Sequence, residues 1–176
     1  LRDKLDLLVD ELSTFASVRT VKQDNGSTTV LLGNKVLAER EAFTELSTKN
    51  IVLEDGTVRT TIVSSDGLGF EPRDGKVGGL LNFRDNVVTN LLADLDKLAE
   101  AIVTNINFEH RVGFGLDGLN DRNFFDPNKK FAFNMELSVD VEDVSHIAVS
   151  IDGSRGDNTN AFNLNALKDK RVVDDR

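Results

Sequence analysis

The feature of this sequence that most restricts its fold is the amphipathic stretch over residues 79–110, which predicts one long α-helix. Apolar residues recur there on one helical face at heptad spacing. We call these six residues the stripe: Leu81, Val88, Leu91, Leu95, Leu98 and Ile102. No proline interrupts the stretch, and at 1.5 Å per residue the helix would be on the order of 45 Å long. A helix of this length packs against other long helices or projects from the fold, so we expect the stripe to be the packed core of a helical layer.

Two further helices are predicted near the ends of the chain. Residues 1–16 carry apolar residues at helical spacing with no capping residue before them. Residues 158–172 begin near Asn158 or Thr159, residue types that favour helix N-termini. Together with the long helix, taken as residues 79–111, they form the predicted helical layer. Both ends of the chain stop abruptly beside such patterns, so we interpret the 176 residues as a central fragment of a longer protein.

The β part is predicted in two regions. Over residues 17–70, short apolar runs alternate with tight-turn signals such as Asn25-Gly26, which is typical of an antiparallel meander of hairpins. Within that region, the polar residues 39–50 are interpreted as a loop or a single helical turn. Residues 130–152 begin with a strict alternation of apolar and polar residues, which predicts a strand with one buried face. The predicted class is therefore α+β, with long helices packed with antiparallel β-hairpins.

Composition disfavours several classes of function. The formal net charge of −9 argues against a nucleic acid or an anionic membrane as partner, because both are themselves negatively charged. No stretch approaches the roughly 18 consecutive apolar residues of a membrane-spanning helix. Cysteine is absent from the sequence, which removes disulfides, thiolate nucleophiles and cysteine metal ligands together.

Glycines and histidines give two motifs that suggest chemistry, and a structural role explains each of them better. The glycines at Gly113, Gly115 and Gly118 match the dinucleotide fingerprint, but they follow a helix rather than a strand, which favours turn glycines. His110 and His146 are the only histidines, and their spacing is not that of a metal site. His110 lies near the end of the long helix, where a positive charge interacts favourably with the helix dipole. We predict no catalytic residue, no cofactor and no metal.

Two acidic loops leave an alternative function open. The Asp and Asn residues around Asp117 and Asp152 could suggest calcium loops, although neither follows the EF-hand pattern. An extracellular module that binds calcium or carbohydrate therefore stays open as an alternative. Arg155-Gly156-Asp157 spells a cell-adhesion tripeptide, and a loop before a helix explains its glycine and aspartate without a receptor.

Four segments follow one another in an order that is typical of a known family. The first is a helix with an Arg-Asp pair that enters a hairpin, and the second is the GGLLNFRD opening of the long helix, which ends in NxxH at Asn107 and His110 before a glycine-rich loop. The third is the pair Phe124-Phe125, and the fourth is DNTNAFNL, which starts at Asp157. In this order they resemble the flagellar hook-associated protein 1 family (FlgK) over nearly the whole chain.

The resemblance implies a non-enzymatic structural subunit of the bacterial flagellum, an elongated axial protein that joins the hook to the filament. It implies export through the flagellar type III system to an extracellular location. The implied partners are the hook protein, the second hook-associated junction protein and copies of the subunit itself, with neither nucleic acid nor membrane. Because the terminal segments that polymerise in the family are not in this sequence, we expect the chain alone to be monomeric.

The resemblance also leads to a prediction about subunit contacts. The charged residues of the long helix that we expect to make them are Arg84, Asp85, Asp94 and Lys97. Another flagellar axial protein, of the hook or the filament type, is the alternative within the same class.

Overall fold

The computed structural model describes residues 2–54 and 56–170. These fold into two units, Leu1–Val88 and Thr89–Arg176, which are described one at a time. Helices and antiparallel sheets are both present, which confirms the predicted α+β class. Leu1 and residues 171–172 of the predicted terminal helices lie outside the described residues. Within the described residues, no helix has both the length and the apolar content needed to cross a membrane.

The first unit begins with helix α1, Arg2–Phe15, and continues as two antiparallel sheets. The four-stranded sheet has the order β1-β2-β3-β4 and the three-stranded sheet the order β5-β6-β7. The strands are β1 Val18–Lys22, β2 Thr28–Leu32, β3 Lys35–Glu39, β4 Ala42–Phe43, β5 Leu46–Val52, β6 Val58–Ser64 and β7 Gly69–Phe70. Within each sheet every strand pairs with the next one along the chain, which confirms the predicted meander of hairpins.

The predicted loop over residues 39–50 is wrong, because β4 and most of β5 lie there. Strand β5 pairs with β6 along its whole length, from Leu46 opposite Ser64 to Val52 opposite Val58. All seven residues of β5 are exposed. A strand with no buried face is under no pressure to alternate apolar and polar residues, so its sequence pattern resembles that of a loop.

The long helix is confirmed, but its helix type changes along its length. Helix α2 is Gly75–Asn82, a π-helix follows at Phe83–Val88, and helix α3 is Thr89–Val112. The helix therefore starts at Gly75, and the glycines at 78 and 79 lie inside it. A π-helix has more residues per turn than an α-helix, so a heptad pattern does not keep to one face across residues 83–88.

Helix α2 begins close to the end of α1, and a glycine makes this possible. A Cβ atom placed on Gly75 would lie 2.6 Å from the carbonyl carbon of Phe15, the last residue of α1. The ammonium group of Lys76 lies 5.4 Å from the centre of the Phe15 ring. The Gly75 distance shows that only glycine at this position allows the two backbones to approach so closely.

The second unit packs irregular loops and short helices against α3. Its other helix is α4, Thr159–Ala166, and short 3₁₀ segments lie at Val139–Val141, Val144–His146 and Leu167–Asp169. Two isolated β-bridges, Phe114 with Ser150 and Phe125 with Leu137, join the loops to one another. The buried apolar residues of this unit are Ala99, Val103, Val141 and Ala148.

The predicted β part over residues 130–152 is wrong, since no extended strand forms there. The amides of Asn134 and Met135 both donate to the carbonyl oxygen of Phe131, at 3.0 Å each, which closes a turn. Asn134 Oδ1 accepts from the Phe131 amide at 3.0 Å, and Asp96 of α3 accepts from the Ala132 amide at 2.9 Å. The segment therefore turns back onto α3 instead of pairing with another strand, and most of its alternating apolar residues remain exposed.

Candidate functional site

A buried polar cluster lies where α3 ends, and it consists of Asn107, His110 and Asn160. Asn107 is 7% exposed, and the other two residues are 0% exposed. A buried polar side chain is costly unless it finds hydrogen-bond partners. Here the partners are backbone groups of the surrounding segments, so the cluster ties those segments to α3.

Asn107 holds the two phenylalanines of the FF segment. Its Oδ1 atom accepts hydrogen bonds from the amides of Phe124 at 2.9 Å and Phe125 at 2.8 Å. Its Nδ2 atom donates to the Phe125 carbonyl oxygen at 2.9 Å. The ring of Phe124 contacts His110 edge-on, with the ring centres 5.4 Å apart. The NxxH and FF segments noted in the sequence are therefore direct neighbours.

His110 joins two loop segments to the same helix end. Its Nδ1 atom lies 2.8 Å from the Arg122 carbonyl oxygen, and the Ala148 amide donates to its Nε2 atom at 3.0 Å. A carbonyl only accepts and an amide N–H only donates, so these partners assign the proton to Nδ1 of a neutral imidazole. The interpretation of His110 as a positive charge that interacts with the helix dipole is therefore wrong.

Asn160 brings the start of α4 onto the end of α3. Its Nδ2 atom donates to the carbonyl oxygens of Glu109 at 3.1 Å and Ala148 at 2.7 Å. Its Oδ1 atom has no hydrogen-bond partner within the described residues. A Cβ atom placed on Gly113 would lie 2.2 Å from Nδ2 of Asn160. Glycine at position 113 therefore leaves the room that this side chain needs.

The glycines of the dinucleotide fingerprint serve packing and turns. Beyond Gly113, a Cβ atom on Gly115 would lie 2.6 Å from the Ser145 carbonyl oxygen, and Gly118 has a φ of +77°. The three glycines follow α3, and the next described helical segment is the 3₁₀ segment at Val139–Val141. This is not the strand, turn and helix that a pyrophosphate site requires.

The carboxylate of the adhesion tripeptide, that of Asp157, accepts hydrogen bonds from groups of its own unit. Oδ2 of Asp157 accepts from the Ile151 amide at 2.7 Å and the Ser150 hydroxyl at 2.8 Å, and Oδ1 accepts from the Thr159 amide at 3.0 Å. The Thr159 hydroxyl also donates to Oδ1. Its hydrogen bond first, and then those from the other donors, hold the pKa of Asp157 well below its usual range. The start of α4 is therefore bound by Asp157, whereas the predicted cap Asn158 makes no side-chain capping bond.

The acidic loops also bind groups of their own unit. Asp117 accepts from Arg122 at 2.5 and 3.0 Å and from the Leu119 amide at 3.1 Å. The Arg122 guanidinium lowers the pKa of Asp117 to about 2. Asp121 pairs with Arg111. Among residues 2–54 and 56–170, no group of three or more His, Asp or Glu side chains is arranged to hold a metal ion.

Two of the charged residues predicted for subunit contacts are engaged inside the first unit. Arg84 donates to Asp85 at 2.5 and 2.9 Å and to the Thr60 carbonyl oxygen of β6 at 2.7 Å. Asp85 also pairs with Arg59 of the same strand. Hydrogen bonds from Arg84, and then from Arg59, lower the pKa of Asp85 to about 2. The pair therefore fastens the π-helix to β6, whereas Asp94 and Lys97 form a half-exposed pair on α3 at 3.4 Å.

Comparison with known proteins shows which family this sequence matches. The family model described as the flagellar hook-associated protein FlgK helical domain matches residues 1–125. The chain belongs to this family. Flagellar hook-associated protein 1 of Escherichia coli K12 is 27% identical over 135 residues, which are 71% of this chain and 24% of that protein. The protein of the same name from Salmonella typhimurium LT2 is 25% identical over 163 residues, which are 88% of this chain and 29% of that protein.

The residues covered by these matches include most of the polar cluster. The chain spans less than a third of the length of either relative. The region that the FlgK family model matches contains Asn107, His110 and the two phenylalanines, and it ends before Asn160. The match to the Salmonella protein covers more of this chain than the family model does. The buried cluster is thus largely built from residues inside the matched FlgK region.

The stripe is not the core that the sequence pattern predicted. Leu91, Leu95 and Leu98 are 58, 44 and 43% exposed, so their predicted burial is wrong. Leu81, Val88 and Ile102 are half-buried. The FlgK-type helix α3 instead buries a different set, which is Ala99, Val103, Asn107 and His110.

The buried face of α3 was missed because it is not markedly apolar. At 3.6 residues per turn, it is rotated by about 100° from the exposed leucines. It combines one small residue and one valine with two polar side chains, so a search for large apolar residues passes over it. The regular helical spacing of Ala99, Val103 and Asn107 was the available signal.

Proposed function

We propose that this chain is a structural part of a flagellar hook-associated protein that acts where the hook meets the filament, without enzymatic activity. The observation that carries the proposal is the FlgK family match over residues 1–125. The polar cluster supports a structural role, because its side chains bind the backbone of their own unit. The alternative calcium module gains no support, since Asp117 and Asp157 are already bound by donors of the same unit.

In this proposal the protein is exported through the flagellar type III system and works outside the cell. Its partners are the hook protein, the second hook-associated junction protein and copies of itself, and neither nucleic acid nor membrane takes part. The isolated chain is monomeric in solution. The net charge of −9 agrees with partners that are proteins rather than polyanions.

The exposed part of the stripe is the surface that we assign to assembly. Leu91, Leu95 and Leu98 follow one another at helical spacing, so their side chains form a continuous apolar strip on α3. Contiguous exposed apolar surface marks interaction sites in soluble proteins. Asp94 and Lys97 border this strip and remain the candidates for polar subunit contacts.

Replacing Leu95 by aspartate is expected to abolish attachment of filaments while leaving the isolated chain folded. Leu95 is exposed, so its replacement should change the free energy of unfolding by less than about 1 kcal/mol. The measurements are thermal unfolding of the chain, and electron microscopy of flagella on cells that express the whole protein with this change.

The matched control is Ala99→Asp, one turn further along the same helix. Ala99 is 5% exposed, and burying a carboxylate there should cost several kcal/mol. A large fall in the melting temperature of the Leu95→Asp chain would contradict the assigned exposure. Normal filaments on cells with the Leu95→Asp protein would contradict the assembly role.

A further inference from the structure

We propose that His110 is an acid-sensitive latch, which releases residues 144–150 from the end of α3 when its imidazole takes up a proton. The proposal rests on hydrogen-bond geometry. Nδ1 of His110 already carries a proton that it donates to the Arg122 carbonyl oxygen. Nε2 is therefore the only position on the ring that can take up another proton.

Protonation of Nε2 removes the acceptor of a buried amide. The Ala148 amide donates to Nε2 at 3.0 Å, and Ala148 is 2% exposed. Once Nε2 carries a proton, two N–H groups face each other, and the amide is shielded from solvent by its burial. A buried amide without an acceptor is costly, so the favourable response is for the segment that carries Ala148 to move away.

The release extends beyond one hydrogen bond because neighbouring groups share the same backbone. The carbonyl oxygen of Ala148 accepts from Asn160 at 2.7 Å. The next carbonyl along the chain, that of Val149, accepts from the Ala161 amide at 3.2 Å. Movement of Ala148 therefore also strains the bonds that hold the start of α4, so opening involves the segment and α4 together.

The charged groups around His110 are engaged with other partners. On α3, Glu109 pairs with Lys170, and Arg111 pairs with Asp121. On the loop segments that pack against α3, the charged or titratable side chains with contacts of their own are Asp117, Arg122, Asp140, Asp143, His146 and Asp157. Within the described residues, none of these carboxylates bonds to His110, so an imidazolium there would lack a counterion.

His146 supplies a natural contrast, because it is the only other histidine. Its Nδ1 atom lies 2.9 Å from the Asp140 carbonyl oxygen, and its Nε2 atom lies 3.7 Å from an Asp117 carboxylate oxygen. Protonation of His146 would therefore create an ion pair rather than break a bond. Replacing it, as His146→Gln, leaves His110 as the one histidine that can report on acid.

The test is hydrogen exchange of the Ala148 amide in the His146→Gln chain, measured by NMR across the range in which histidine titrates. Exchange rates are corrected for the intrinsic effect of pH. Opening that is coupled to the uptake of one proton should reduce the protection of Ala148 about tenfold for each unit by which the pH falls. The Phe125 amide, which donates to the non-titrating Asn107, is the internal control and should keep its protection.

Protection of Ala148 that parallels that of Phe125 at every pH would overturn the proposal. The second arm is His110→Gln, whose amide oxygen can accept a hydrogen bond but does not titrate. In that chain the acid-dependent loss of Ala148 protection should disappear, and its persistence would also overturn the proposal. Should His110→Gln fail to fold, the pH series on the His146→Gln chain decides alone.

Discussion

Replacing Asn160 by aspartate is expected to lower the free energy of unfolding by about 3–5 kcal/mol, because it places an unpaired charge in a buried site. The two groups that face the Asn160 amide are the carbonyl oxygens of Glu109 and Ala148, and both can only accept hydrogen bonds. A carboxylate in the same place would meet two oxygens and no donor. Chemical denaturation at neutral pH measures the loss, and the melting temperature should fall by about 2–4 °C per kcal/mol.

An exposed asparagine two positions before Asn160 gives a matched control. Asn158→Asp makes the same chemical change at the first cap position of α4, where Asn158 has no side-chain capping bond. A negative charge at a helix N-terminus is neutral or slightly stabilising. Equal effects of the two changes would contradict the special position of Asn160 in the polar cluster.

The pH dependence gives the Asn160→Asp chain a second signature. Burial against carbonyl oxygens raises the pKa of the new carboxyl group above its unfolded value of about 3.9. A group with a raised folded pKa loses stability as the pH rises through that value, so the deficit relative to the parent chain should be larger at neutral pH than at about pH 4. A deficit that does not change with pH would mean that the loss comes from altered packing alone.

Replacing Gly78 by alanine is expected to cost about 3 kcal/mol, the upper part of the usual range for overpacking. The added Cβ atom would lie 2.4 Å from the Arg73 carbonyl carbon and 2.6 Å from its oxygen. Both are backbone atoms at the turn into α2, so no flexible side chain can move aside. The expected result in thermal unfolding is a clear decrease in the melting temperature.

The next residue should respond with the opposite sign. A Cβ atom on Gly79 would meet no atom within 4 Å, and alanine in a helix interior is favoured over glycine by about 0.5–1 kcal/mol. Gly79→Ala is therefore expected to stabilise the chain. A loss of stability in both variants would show that the close approach of Arg73 to Gly78 is not the cause.

Local signals were sufficient to predict the hairpins and the long helix. The turn at Asn25-Gly26 involves residues that are adjacent in the chain, and Gly26 has the positive φ of +82° that such a turn needs. The helical pattern of residues 79–110 likewise depends on neighbours three and four positions apart. Patterns of this kind are visible in one sequence because their causes lie within a few residues.

Contacts between distant residues could not be predicted in this way. Asn160 reaches Glu109 across 51 positions, and nothing near either residue indicates the other. The family resemblance picked out Asn107, His110 and the two phenylalanines as motif residues, but it did not predict their mutual contacts. The predicted β part at residues 130–152 failed for a related reason, because alternation shows which side chains could share a face without showing that a partner strand exists.

The exposed leucines of α3 show that the sequence pattern also leaves the role of an apolar surface undetermined. Periodicity identifies an apolar face of a helix, but it does not show whether the same chain covers that face. Leu91, Leu95 and Leu98 follow the expected pattern and remain exposed in this structure. Membership of the FlgK family supplies the reason to assign this surface to assembly.

The most direct test of the proposed function is the position of the protein on the flagellum. Antibodies raised against the chain and labelled with gold can be located by electron microscopy on the organism that encodes it. The expected result is label confined to the point where the hook meets the filament. Label along the hook or along the filament would instead indicate another axial protein, and label absent from the flagellum would contradict the proposed function.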